Sequence, residues 1–176
     1  MRKQAVSKDL GVLLMRGHRG VMHRATELNQ ALMNLRYEGK PMFGKNLQRI
    51  RTLFGAFAQE LSKDMAFEEQ ELFPFLETHV PKLKFMIHIL EEEHHDLRQN
   101  LERFHSLLQG LSKKARDDGR MGLIEKMRKK GSYLSYFLHN HTLAENESVY
   151  RVTVAELNRD EKAELVRKFT GGLHEI

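Results

Sequence analysis

Apolar residues recur along this chain in steps of three and four, the spacing that lines one face of an α-helix. From about residue 8 to 36 the stripe reads Leu14, His18, Val21, Ala25, Leu28, Leu32 and Leu35. The stretch Tyr37–Lys45, with Gly39, Pro41 and Gly44, predicts a loop. A second helix is predicted over about 46–78, with Ile50, Phe54, Phe57, Leu61, Asp64, Glu68, Leu72 and Phe75 in line, and Pro74 kinks its last turns. After the short connection His79-Val80-Pro81, a third helix over about 82–109 carries Leu83, Ile87, Leu90, His94, Leu97, Leu101, Phe104 and Leu108. The segment Gly110–Gly119 predicts a polar, basic connection. A fourth helix over about 120–153 aligns Leu123, Met127, Leu134, Leu138, His141, Glu145, Val149 (or Ser148) and Val152, with Gly131 expected as a kink or break. A short helix over about 159–170 (Ala163, Leu165, Val166, Phe169) follows, with Gly171-Gly172 as its cap.

Six stripe positions are not apolar: His18, Asp64, Glu68, His94, His141 and Glu145. A bare carboxylate in a core is costly, so Asp64, Glu68 and Glu145 must lie near water or meet something positive. The six are also arranged as a repeat. A lone histidine, a loop, and a pair spaced four apart on the next helix occur twice: His18 with Asp64 and Glu68, then His94 with His141 and Glu145. Leu72-Phe73 then corresponds to Val149-Tyr150. This order predicts a duplicated helical hairpin, an all-α up-down-up-down four-helix bundle over about 8–153 with a short extra C-terminal helix, all within one domain of residues 1–176. Each histidine lies about as far before its loop as the paired residues lie after it, so antiparallel neighbours bring all six to one height.

Composition narrows the chemistry. The 176 residues include no cysteine, which excludes disulfides, thiolate metal sites and thiol nucleophiles. Three prolines in the whole chain favour helix, and nine methionines with no tryptophan suggest an adaptable core. A net charge of +5 is modest, and the basic run Lys113–Lys130 is not interleaved with aromatics, so no nucleic-acid partner is expected. The N-terminal Met1-Arg-Lys is followed by an apolar run, Val12–Met15, too short for a signal peptide, and no stretch approaches a membrane span; a cytoplasmic protein is expected.

Imidazoles and carboxylates converging in a helical core form a metal site by donor type, suited to iron, manganese or zinc. Six side-chain donors exceed one tetrahedral zinc and fit two octahedral ions, with Glu68 and Glu145 as the natural bridges. His18, His94 and His141 would be terminal donors. The remaining histidines lie off the stripes, with His95 and His139 expected behind the site as its supporting pair.

These residues resemble the hemerythrin-like, or HHE cation-binding, family. That family carries a histidine on its first helix, H-x-x-x-E-E-x-x-L-F-P on the second, E-H on the third and H-x-x-x-E on the fourth. Here the matches are His18, Glu68-Glu69 with Leu72-Phe73-Pro74, Glu93-His94, and His141 with Glu145, over about residues 10–153. Asp64 stands in place of the second-helix histidine, Asn146 in place of a second glutamate, and Arg98 in place of a further third-helix histidine, which argues against a five-histidine oxygen carrier. The resemblance implies a non-haem di-iron protein, with two iron ions, that binds or reduces a small ligand such as oxygen, nitric oxide or peroxide. Manganese, or a mononuclear site if Asp64 leaves the second position weak, is compatible with the same donors. An iron- or oxygen-responsive sensor or adaptor without turnover is the alternative, and a homodimer is compatible with either. Binding and catalysis are both open to these residues.

Overall fold

Four long helical arms follow from the four stripes, and each stripe is buried along most of its length. The structure, a computed structural model, describes residues 2–35, 40–113 and 117–171. The first arm is α1 (Arg2–Leu35). The second begins with α2 (Lys40–Phe67), widens into a π turn at Glu68–Leu72 and resumes as α3 (Phe73–His79). A single 3-10 turn, Pro81–Leu83, leads into α4 (Lys84–Lys113). The fourth arm is α5 (Asp117–Ala144), a second π turn at Glu145–Tyr150, and α6 (Arg151–Glu156). The last element is α7 (Arg159–Gly171). Every element among the described residues is helical.

Several boundaries differ from the sequence reading. Helix α2 takes in residues 40–45, where the sequence predicts loop; Pro41 is its second residue, where the missing N–H has no partner to lose. The rest of that expected loop, 36–39, lies outside the described residues. Helices α4 and α5 consume most of Gly110–Gly119, leaving 114–116 outside the description. Gly131 does not break α5. It lies in mid-helix and buried, and a side chain there would run into Leu32 of α1, so the glycine serves close packing rather than bending. The interruption of the fourth arm lies further on, in the π turn. Of the expected Gly171-Gly172 cap, Gly172 is outside the described residues.

The π turns are defined by their hydrogen bonds. The Phe73 N–H donates to Glu68 O and the Arg151 N–H to Asn146 O, each reaching five residues back instead of four. A wide turn changes the phase of the stripe. Leu72 and Phe73 are both buried, as are Val149 and Tyr150, and beyond the second turn Thr153 is buried while Val152 is only half-buried. The first turn sits directly ahead of Pro74, whose nitrogen has no hydrogen for an α-helical bond.

By contacts the described chain divides into two compact units, and each long arm gives one stretch to each. One unit comprises residues up to Arg19, Ser62–Glu93 and residues from His141 on. Its core gathers Leu10, Leu14, Leu72, Phe73, Leu76, Ile87, Leu90 and Val149 together with Leu165 of α7. Asn158 caps α7: its side-chain oxygen accepts the N–H groups of Asp160 (2.9 Å) and Glu161 (3.0 Å), and its own N–H donates back to Glu161 Oε2 at 2.7 Å. The other unit comprises Gly20–Leu61 and His94–Asn140. There Phe54 stacks on Phe104 with ring centroids 4.7 Å apart. No helix among the described residues is long and apolar enough to cross a membrane.

Candidate metal centre

Within the first unit the polar members of the stripes meet. His18 comes from α1, Asp64 from the end of α2, Glu68 from the first residue of one π turn, His141 from the end of α5, and Glu145 from the first residue of the other π turn. His18 Nε2 lies 2.9 Å from Glu145 Oε2, 3.4 Å from Glu68 Oε1 and 3.9 Å from Asp64 Oδ2. His141 Nε2 lies 3.5 Å from Glu145 Oε2. Donor atoms of His18, Asp64 and Glu68 fall within 4.8 Å of one another, and so do those of Glu68, His141 and Glu145. His94 is fully buried at its expected stripe position, the residue after Glu93 on α4.

Asp64 is set differently from the others. The buried stripe passes through Met65, and the Asp64 side chain stays 22% exposed at the rim. Its approach to α1 depends on Gly17, because a methyl group there would occupy the space of the Asp64 carboxylate. His18 and Asp64 thus meet across a point where α1 has no side chain.

Both imidazoles are held from behind. His18 Nδ1–H donates to Asn146 Oδ1 at 3.3 Å, and His141 Nδ1–H donates to Glu93 Oε2 at 2.7 Å. Each ring therefore turns its Nε2 toward the carboxylates, the orientation that metal-ligating histidines adopt. His95 and His139, expected in this supporting role, are exposed instead, and the His95 ring bonds Gln99 at 2.8 Å. Glu93 and Asn146 take the role because they stand one residue from stripe positions on the arms that face the rings. Their signal was present in the sequence as the residue before His94 and the residue after Glu145.

Tyr150 was missed altogether. It is the last residue of the second π turn, and its hydroxyl donates to Glu68 Oε1 and lies 3.1 Å from His18 Nε2. Its ring stacks on His18 with centroids 5.0 Å apart. The available signal was a tyrosine where the repeat places Phe73, a single added hydroxyl in an apolar stripe.

The electrostatics of this cluster are dominated by buried carboxylates. Burial alone would lower the His18 pKa, but hydrogen bonds and charge from Glu145 and Glu68 overcome it and hold the pKa up at about 10. Burial and the neighbouring Glu68 charge push the Glu145 carboxyl up. Burial, then the charges of Glu68, Glu145 and Asp64, push the Tyr150 phenol up as well. Each shift is the response of buried negative charge that seeks a counter-cation. A proton on His18 partly answers that need, and a bound cation would answer it as well. The donor set, imidazole nitrogen and carboxylate oxygen without sulfur, fits a first-row transition ion.

An all-α fold with imidazoles and carboxylates gathered inside a helical core defines a class of cation-binding helical proteins. Comparison with protein families matches the Hemerythrin HHE cation binding domain across residues 11–153, and the chain belongs to that family. It has the hemerythrin-like bundle fold, with α7 lying beyond the matched residues as a short C-terminal helix. A comparison with curated proteins gave no match.

Proposed function

We propose that this protein is a non-haem di-iron protein that binds or reduces a small ligand: oxygen, nitric oxide or peroxide. Glu68 and Glu145 would be the bridging donors. His18, His94 and His141 are terminal donors, and Asp64 is an atypical terminal donor from the rim. The observation that carries this reading is the anchoring of His18 and His141 at Nδ1, which leaves each Nε2 facing buried carboxylates. His94 is supported by its complete burial one residue from Glu93, at a stripe position of α4. When bound, an iron pair would supply open coordination positions for the small ligand and, if ferrous, the electrons for its reduction, becoming ferric. The chain's own residues hold the donors in place, keep the interior free of bulk water and leave Asp64 as the most water-exposed of these carboxylates.

The direct test is metal content per chain after expression with added iron, beside the visible spectrum in air. Two irons per chain are expected. Glu68→Ala and Glu145→Ala should each lose most of that iron, and full retention in either variant sinks the bridging assignment.

A second reading, an iron-responsive adaptor without turnover, is favoured by the seating of α7. Phe169 packs on Phe67 with ring centroids 4.1 Å apart, and Lys168 Nζ lies 2.7 Å from Glu71 Oε2, so α7 rests on both flanks of Glu68. This reading predicts iron-dependent protection of α7 from proteolysis and no consumption of peroxide or nitric oxide; steady turnover of either ligand decides against it.

A further inference from the structure

We propose that Tyr150 is itself a metal-binding residue of this site, its phenolic oxygen occupying a coordination position beside His18 Nε2 and Glu68 Oε1. The inference rests on the iron-site reading above and extends it to a residue outside the histidine–carboxylate set.

Position separates Tyr150 from the supporting residues. Asn146 and Glu93 lie behind the rings, on the Nδ1 side. The Tyr150 oxygen lies in front, on the Nε2 side, where the carboxylates converge. Spacing agrees. At metal–donor distances of about 2.0–2.2 Å, two donors at right angles around one ion are roughly 3 Å apart. The Tyr150 oxygen is 3.1 Å from His18 Nε2, and Glu145 Oε2 is 2.9 Å from the same nitrogen. Tyr150 therefore stands toward His18 as a neighbouring ligand would.

The helix geometry explains how a residue five places beyond Glu145 reaches the same site. On a regular α-helix those positions are about 140° apart. The π turn from Glu145 to Tyr150, with its bonds reaching five residues back, brings them onto one side. The chemistry of the neighbourhood supplies a reason. Asp64, where the family resemblance places a histidine, is set back at 3.9 Å from His18 and at the rim, so the Tyr150 oxygen is nearer to His18 Nε2 than the Asp64 carboxylate is. Tyr150 is fully buried, and among the described residues its hydroxyl bonds only Glu68 and His18. A buried hydroxyl whose contacts are both candidate metal donors has no separate structural partner to satisfy. On ligation the metal–oxygen bond forms as the O–H bond breaks, and the proton leaves to solvent without any change of oxidation state.

The experiment loads the full chain with ferric iron and compares wild type with Tyr150→Phe, measuring iron per chain, far-ultraviolet circular dichroism and the visible spectrum. Phenolate bound to ferric iron gives a charge-transfer band in the visible, and resonance Raman excitation within it reports tyrosinate vibrations. The expected result is such a band in wild type and its loss in Tyr150→Phe, with helicity unchanged and iron still bound. Iron-loaded wild type without a phenolate band, or a band that survives Tyr150→Phe, overturns the proposal and leaves the iron site standing. Failure of wild type to bind iron overturns the iron site and this proposal together.

Discussion

Gly17 decides where Asp64 sits. A methyl group at this position would displace the Asp64 carboxylate, and Asp64, being at the rim, has solvent to swing into. Gly17→Ala should therefore leave the metal-free protein as stable as wild type or more so, by up to about 1 kcal/mol from helix propensity. It should also lower iron per chain as Asp64→Ala does. Iron content of both variants, beside their denaturation midpoints, checks this; unchanged iron in both removes Asp64 from the donor set. Most of this site was legible from residue identity: His18, Glu68, His141 and Glu145 stood in apolar stripes, and burying charge without a partner is too costly to be accidental. Asp64 was placed on the stripe one residue from the truly buried Met65, because a stripe drawn in steps of three and four tolerates an error of one at its edge. Tyr150 was illegible for another reason. A tyrosine in an apolar stripe reads as core packing, and only its hydroxyl partners, which are distant in sequence, show otherwise.

At the scale of elements, the helices were legible and the π turns were not. A π turn differs from an α turn by a shift of one hydrogen-bond partner, which leaves no composition signature. Its trace was the adjacent apolar pair in each half, Leu72-Phe73 and Val149-Tyr150, which an unbroken α-helix could not bury equally well. Removing one residue from the second turn tests its role. Deletion of the exposed Glu147, whose ion pair with Arg151 at 3.3 Å is a surface contact of small worth, should convert the turn to α-helix. Circular dichroism is then expected to keep its helical signal and iron to stay bound while any phenolate band in the visible is lost, because Tyr150 and everything after it rotate relative to Glu145. Gly131 tests packing in the other unit. Alanine gains about 1 kcal/mol of helix propensity but must push against fully buried Leu32, where overpacking typically costs 1–3 kcal/mol. A net loss of up to about 2 kcal/mol in urea denaturation, with iron content unchanged, is the expected outcome.

For the molecule as a whole, metal and stability are linked because a site assembled from α1, two π turns and α5 exists only when those elements are in place. Free iron at a hundred times its dissociation constant adds about 2.7 kcal/mol, which for a chain of this size raises the melting temperature by roughly 5–10 °C. Calorimetry with iron and with a chelator checks this; coincident melts would mean that folding does not depend on the site. Family membership and the repeat were both visible in the sequence, since they rest on the order and spacing of motifs, which folding preserves. Each π turn opens on the glutamate of its own half, Glu68 in one and Glu145 in the other. A π turn amounts to one residue added to an α-helix, and two such additions at matching places are better accounted for by one ancestral event than by two. On that account the extra residue belongs to the repeated hairpin itself, and each half presents its glutamate by the same local device.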